Sequence, residues 1–529
     1  MKDQLPEPLA TERRDARRRR NRLLAAFALF VAAWPLLTDV SPLQDQMDWV
    51  LQAKIIAAPA QAGWTGNYEV IWRPVPNILG TVLIAGLAKI LPVFTAAAVV
   101  YAAYLLLWIA ALVYFLRSGE RDYPAAELLA PLYAANHFFL MGFFNFILGL
   151  ALVFLAFGWL RRHGEKPLRH WPPFLLLATA VYLSHFLAFA ILGLGCLIYA
   201  VLTYRRAGRR YGSLVVSFAP SLLGLAWYAQ SRAGQFWFHY AFHNPLYYTW
   251  YQVGPWAIAS SYYPLTPNWA VWINVAINAA TILTVGGLVC YAAWKRRIDW
   301  RSPWAWTAAA LLAIGLAAPT RIYELLRPGQ RLIFAALLIL PATILPARPF
   351  DPRRFRRLAA ALGALLLWNA AWWFQAAAVD RQDLNVLERL IGRDSRMLVL
   401  ADSHFHFREN RSYRAKLADP YAYPNSVNPH RYLPYCIVIR HGGYLRALFG
   451  TGIVRVRREA ELLPEVTRLW HLDDPQAAGR YSHLVATGQR ENLAAIADRA
   501  APLFEQQYLG DRLLVMKRRP APEPAPPAN

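Results

Sequence analysis

The chain has 529 residues, of which 57% are hydrophobic and only 17% charged, with 21 Trp and 27 Tyr. A soluble chain of this length carries more charge, and the apolar residues run uninterrupted for close to the length that crosses about 30 Å of hydrocarbon. The net charge of +24 does not signal nucleic acid: Lys and Arg cluster in short runs between apolar segments, as in cytoplasmic loops, and membrane lipid is the partner those runs suit.

Taken in order, residues 1–21 are polar and basic and read as a cytoplasmic tail. The first span, Leu23–Leu37, follows without a small-residue cleavage site and reads as an uncleaved anchor. Residues 38–77 then form an outer loop. Asn77–Leu91 is apolar but short, with Gly80, Gly86 and Lys89 inside it. If it crossed, the five basic loops RSGER, RRHGEKPLRH, YRRAGRR, KRRIDWR and ARPFDPRRFRR would all lie outside, against the charge rule. It is therefore expected to be a re-entrant or interfacial helix. Further spans are expected at Ala96–Leu116, Pro124–Asn136, Phe144–Leu160, Pro173–His185, Phe186–Tyr204, Ser213–Ala229, Trp269–Trp294, Trp304–Pro319, Leu332–Leu345 and Leu358–Phe374. The fold class is thus an α-helical polytopic membrane protein with about eleven crossings, its transmembrane domain covering residues 22–378. The N-terminus falls inside and the C-terminus outside. The loop Gln230–Pro267 is rich in Trp and Tyr, which prefer the headgroup level.

Past residue 378 the composition turns polar and mixed, and residues 379–518 read as an extracytoplasmic α/β domain. Helices are expected at Asp383–Ile391 and Leu493–Phe504. Strands are expected at Met397–Ala401, Cys436–Arg440, Ile453–Arg457, His483–Ala486 and Arg512–Met516. Residues 519–529 are a Pro/Ala tail without the residues to build a core. The three cysteines, Cys196, Cys290 and Cys436, show no spacing pattern and imply no disulfide framework.

Four groups of residues could carry chemistry. Asp45 and Asp48 are three apart and share a face if SPLQDQMDWVLQAKI is helical, with Ser41 as a plausible cap. Two carboxylates that close raise one pKa, which suits a base; a solvated helix end explains them as well. Asp39 and Glu69 lie in the same outer loop. The outward cations Arg73, Arg321, Arg327 and Arg331 suit phosphate, or else they reach for anionic lipid heads. Asn136, His137, Asn145 and His185 sit at the outer edges of spans, where polar groups line a cavity or are simply hydrogen-bonded. Asp402, His404 and His406 alternate as a zinc-binding strand would, yet no Cys or distant HxxxH completes the set. His239 and His243 lack the intervening Glu of a metalloprotease helix. P-loop, G-x-S-x-G and CxxC patterns are absent.

Several stretches carry a resemblance: SPLQDQMDWVLQA, YEVIWRPVPN, ANHFFLMGFFNFILG, YLSHFLAF and PYCIVIRHGGYLRALF. With a basic start, one span, a long acidic outer loop, a many-span body and an α/β tail, the chain resembles the GT-C superfamily of integral-membrane glycosyltransferases, and within it uncharacterised bacterial members. The resemblance implies a bacterial inner-membrane enzyme. It would move a sugar, with inversion, from a polyprenyl-phosphate carrier to a glycan, lipid or protein acceptor on the extracytoplasmic side. It also implies that Asp45, or Asp48 or Asp39 in its place, is the catalytic carboxylate acting as base or metal partner. Glu69, Arg73, Asn136, His137, His185, Arg321, Arg327 and Arg331 would then bind substrate. Many members carry an adjacent acidic pair where this chain has Asp45-Gln46, so a divalent cation is possible but not required. A scaffold or lipid-linked glycan transporter on the same fold is the alternative. A secondary transporter would show inverted repeats and charges deep in its spans, and neither is evident.

Overall fold

The computed structural model describes residues 7–59, 67–119, 123–164, 167–204, 208–231, 238–239, 258–263, 265–322, 325–345, 351–393, 395–401, 426–443, 453–456 and 480–520. Helix α1 (Glu7–Leu36) runs from the basic tail straight into the first apolar segment, because Arg, Ala and Leu are all strong helix formers. The outer loop contains α2 (Gln46–Ala57) and strand β1 (Tyr68–Val70). Next comes α3 (Leu79–Leu87), whose nine residues reach about 13 Å and cannot cross a bilayer.

Every expected span falls on a helix. After α1 these are α4 (Val93–Arg117), α5 (Pro124–Ala134), α7 (Phe144–His163), α8 (Pro167–Ser184), α9 (Phe186–Tyr204), α10 (Gly208–Ser231), α11 (Asn268–Trp294), α12 (Pro303–Ala317), α13 (Pro328–Ile339) and α14 (Pro352–Leu390). The one-turn helix α6 (His137–Leu140) links α5 to α7. Among the described residues, six helices are long and apolar enough to cross a membrane: α4, α7, α9, residues 210–230 of α10, α11 and α14. Three short strands, β2 (Phe238–His239), β3 (Ser261–Tyr262) and β4 (Arg321–Ile322), lie between helices, and β5 (Leu325–Leu326) makes a hairpin with β4.

The C-terminal part contains β6 (Met397–Ala401), β7 (Ser426–Val427), a 3-10 turn (Pro429–Tyr432), α15 (Tyr435–His441) and β8 (Val454–Val456). β9 (His483–Thr487), α16 (Arg490–Ala500), β10 (Phe504–Leu509) and β11 (Leu513–Arg518) complete it. A four-stranded sheet has the order β10-β11-β9-β6, with β6 parallel to β9. It shares a small core with α16, built on Leu398, Leu484, Leu493, Ile496, Phe504 and Met516. The chain is therefore a helical multi-pass membrane protein with a C-terminal sheet region, as its composition and span pattern implied.

Four local expectations need correction. Cys436–Arg440 is helical, not a strand. A short apolar run fits either form by periodicity, and here Pro434 opens the turn while Gly442, at φ 82°, ends it. The helix expected to reach Phe504 stops at Ala500, and Phe504 opens β10 opposite Arg518. The amphipathic helix at Asp383 is not separate, since α14 continues from the last span to Leu390. Ser41 does not cap α2: Asp45 holds that position, and the Ser41 carbonyl accepts a bond from the Gln46 side chain.

Two ends of the bundle differ in chemistry. At the basic end the buried Glu127 carboxylate, on α5, accepts Arg117 Nη2 at 2.5 Å and lies 3.2 Å from Arg20 Nε. There too Tyr123 Oη donates to the Ala342 carbonyl (3.1 Å), and Leu345 N donates to Arg297 O (2.7 Å). Glu127 thus ties α1, α4 and α5 through a carboxylate with no exposed surface. Removing one member of a buried charge cluster leaves the others uncompensated. Glu127→Ala is expected to cost about 3–5 kcal/mol and Glu127→Gln less, read as loss of folded protein and of melting temperature after purification in detergent.

Candidate active site

The opposite end of the bundle gathers the polar groups. Its scaffold is the junction between α6 and the start of α2. Leu140 O and Met141 O accept the backbone N–H groups of Gln44 (2.9 Å) and Asp45 (3.2 Å), while Trp49 Nε1 donates to Gly142 O (3.0 Å). Gly142 has φ +75°, and a Cβ placed there would lie 2.5 Å from the Asp45 amide nitrogen. Only glycine accepts both that backbone angle and that proximity. Asp45 is therefore held by main chain on both sides, and its side chain makes no capping bond to its own helix.

Asp45 is buried, with 6% of its surface exposed. Burial pushes its carboxyl from 3.8 up to about 6; Arg431, a bond from the Gln44 side chain, Arg327 and Arg331 oppose that rise. Asp48, one turn on, is also buried, and its carboxylate accepts Gln52 Nε2 at 2.6 Å. Asp45 thus has cations around it, and Asp48 holds a neutral amide along its own helix.

The cations come mainly from α13. Arg327 stands just before Pro328 with φ 55° and ψ 48°, a left-handed conformation that is costly for a side chain of this size. Its Nη1 lies 3.4 Å from His137 Nε2 and 3.3 Å from Met141 Sδ. A guanidinium only donates, so Nε2 accepts and the ring proton sits on Nδ1, a buried position with no hydrogen-bond partner among the described residues. Burial, together with Arg327, holds His137 well below its usual pKa, so it is neutral. Arg331, one turn along α13, stacks on Phe143 at 4.2 Å and places Nη1 3.0 Å from His185 Nε2. His185 also receives Leu187 N–H on Nδ1 at 3.0 Å. Neutral imidazole has one acceptor nitrogen, so whichever nitrogen bears the proton, one of these contacts sets two donors against each other.

The structure thus brings together Asp45, Asp48, His137, His185, Arg327 and Arg331. Asn136 is adjacent, but its amide caps α6: it accepts Phe139 N (3.1 Å) and donates to Tyr133 O (2.9 Å). Glu69 lies on β1 opposite Arg455 of β8. Arg73 is half-buried in the following turn, where its carbonyl accepts Val75 N (2.9 Å). Arg321 is exposed on β4, opposite His239 and Leu326. Neither Arg73 nor Arg321 is among the charges acting on Asp45. Asn145 works as a clamp, accepting Gly80 N (2.7 Å) and donating to Asn77 O (3.0 Å). Asp39 is exposed, with its carboxylate 3.2 Å from Arg381. His243, Asp402, His404 and His406 lie outside the described residues. Sequence reasoning missed Arg431, which follows Asp45 by nearly 400 residues and carries no local signal.

Arg431, Arg327 and Arg331 all bear on Asp45, and their positive charge opposes a divalent cation beside it. Among the described residues no three His, Cys, Asp or Glu side chains cluster as ligands. Gly142→Ala is expected to cost at least about 1 kcal/mol from the left-handed backbone alone, and more from the contact with Asp45. Chemical unfolding of the purified protein measures it, and an unchanged stability would show that the two backbones are not in contact.

No protein-family model matches the sequence, and no curated protein matches it. Solved structures do. ArnT from Cupriavidus metallidurans in the apo state matches with a TM-score of 0.51 at 10% identity, covering 93% of this chain and 97% of that one. The same protein bound to undecaprenyl phosphate matches with a TM-score of 0.46 at 12% identity over the same shares. The chain therefore has the GT-C fold of ArnT along most of its length, the fold that the resemblance read from its sequence implies.

Proposed function

We propose that this protein is an inverting glycosyltransferase that moves a sugar from a polyprenyl-phosphate carrier to an acceptor hydroxyl on the extracytoplasmic face of a bacterial inner membrane. The observation that carries this reading is a buried carboxylate, Asp45, within electrostatic reach of the guanidinium groups of Arg327 and Arg331 at one end of a GT-C-fold bundle. The site lies at the end opposite the basic loops, which supports an outward-facing orientation under the positive-inside rule.

In this mechanism Asp45 takes the proton from the acceptor hydroxyl as that oxygen attacks the anomeric carbon from the face opposite the carrier. The bond from that carbon to the phosphate oxygen breaks, and negative charge grows on the departing lipid phosphate. Arg327 and Arg331 neutralise it. The Arg331 guanidinium beside His185 offers donors that an anionic oxygen can accept. The unpartnered N–H of His137 offers a further donor, and Phe143 and Phe146 hold the Arg331 guanidinium flat against their faces. Asp48, bonded by Gln52, keeps α2 in place and serves no proton transfer. The acceptor is a glycan, lipid or protein; the site gives it one requirement, a hydroxyl that can approach Asp45.

Asp45→Asn keeps the shape of the side chain and removes the base, so envelope glycans analysed by mass spectrometry should lose the transferred sugar in cells carrying it. Asp48→Asn should retain it. An unchanged glycan profile with well-expressed Asp45→Asn protein would sink the assignment. For a base with a pKa of about 6, transfer should rise with pH through that value and fall as Asp45 becomes protonated below it; initial rates between pH 5 and 8 test this. Each of Arg327→Ala and Arg331→Ala should weaken binding of undecaprenyl phosphate by about ten- to a hundredfold, measured by titration of the purified protein.

A further inference from the structure

The segment of residues 426–441 is far from the outer loop in sequence yet packs on it. β7 lies parallel to β3, and Tyr263 N donates to Val427 O at 2.8 Å. Asn428 N donates to the Gln44 side-chain oxygen at 3.0 Å, one residue from Asp45. The Asn428 side chain in turn accepts Arg431 N at 3.2 Å, fixing the 3-10 turn. On the other face of that turn, His430 is 1% exposed and its Nδ1 is ion-paired with Asp380 of α14. Cys436 Sγ meets Met47 Sδ at 3.3 Å, and Tyr432, Tyr435, Ile437 and Val438 join the main hydrophobic core of the bundle, not that of the sheet. Between these fixings stands Arg431, half-buried, with its guanidinium 4.9 Å from the Tyr432 ring.

We propose that Arg431 is a positioning residue for Asp45, delivered by this segment and held in place by the buried Asp380–His430 pair, so that the part of the chain after the last span completes the site. This rests on the reading of Asp45 as the base. Arg431 does not touch the reacting atoms; it keeps the carboxylate charged in a place where burial alone would leave it protonated. Burial is the larger effect on Asp45, and Arg431 is the first of the charges opposing it, ahead of Arg327 and Arg331. Tyr432, beside Arg431, lies close enough to interact with both Asp45 and Asp48 of the outer loop. His137 lies behind Arg327 and His185 behind Arg331. The support beneath Arg431 is itself charged. Burial works against the His430 imidazolium, but Asp380 and Asp383 outweigh it and raise its pKa, with Arg512 the opposing neighbour.

The test needs no turnover. An infrared titration of the purified full-length protein follows the carbonyl band of protonated Asp45, identified by its loss in Asp45→Asn. In the wild type that band should be half-formed near pH 6. In Arg431→Met the midpoint should move upward by about one pH unit, and Arg431→Lys should restore most of the shift. Asp380→Asn, which leaves Arg431 intact but loosens its support, should move the midpoint the same way by less, and it covers the case in which Arg431→Met fails to fold. An unmoved midpoint in either folded variant overturns the proposal. If the midpoint moves while Asp45→Asn still transfers sugar, the inference stands and the reading of Asp45 as base falls.

Discussion

A carboxylate withdrawn from water favours its protonated form unless cations stand close by. Asp45 meets that condition in this fold: burial pushes it upward while Arg431, Arg327 and Arg331 hold it near 6. That balance needs the carboxylate and three guanidiniums from distant stretches to converge within one buried site, and much of the local architecture serves that convergence. Gly142 lets the α6 turn lie directly on the Asp45 backbone. Pro328 starts α13 so that Arg327 and Arg331 fall one helical turn apart on it, at the price of a left-handed Arg327.

The polar residues divide between chemistry and support. Asn136 and Asn145 spend their amides on backbone, one capping α6 and the other clamping residues 77–80. Their burial reflects a need to satisfy main-chain groups where helices stop and the chain turns. His137 and His185 differ from them in holding a ring nitrogen against a guanidinium, an arrangement that makes sense around an anion. At the far end of the bundle, Glu127 with Arg117 and Arg20 shows the opposite use of charge. There a single carboxylate compensates two cations from different helices, and the result is cohesion of the basic end.

The C-terminal part serves two structural purposes. One face of its sheet shares a core with α16, while Met397, Val485, Leu513 and Val515 of the sheet join β7, the 3-10 turn and α15 in the core of the bundle. β8 extends this second role by pairing with β1, and Ile71 N donates to Ile453 O at 2.7 Å. The outer loop is consequently gripped from one side by α6 and α7 and from the other by chain that follows the last span.

The membrane fold and the helices on which the expected spans fall were legible in the chain's composition and run pattern, because apolar run length and the placement of Lys and Arg are local properties readable without coordinates. The sequence also singled out Asp45, Arg327, Arg331, His137 and His185, since ionisable groups at span edges stand out against an apolar background. Whether a short apolar run such as CIVIR would be strand or helix was not legible, because both periods fit five residues and packing against α2 decides. Tertiary structure sets Arg431, Arg327 and Arg331 against Asp45 and lays the Gln52 amide on Asp48. Only it brought Arg431 to the site. Contacts across hundreds of residues arise from how helices pack, and they leave no trace in spacing.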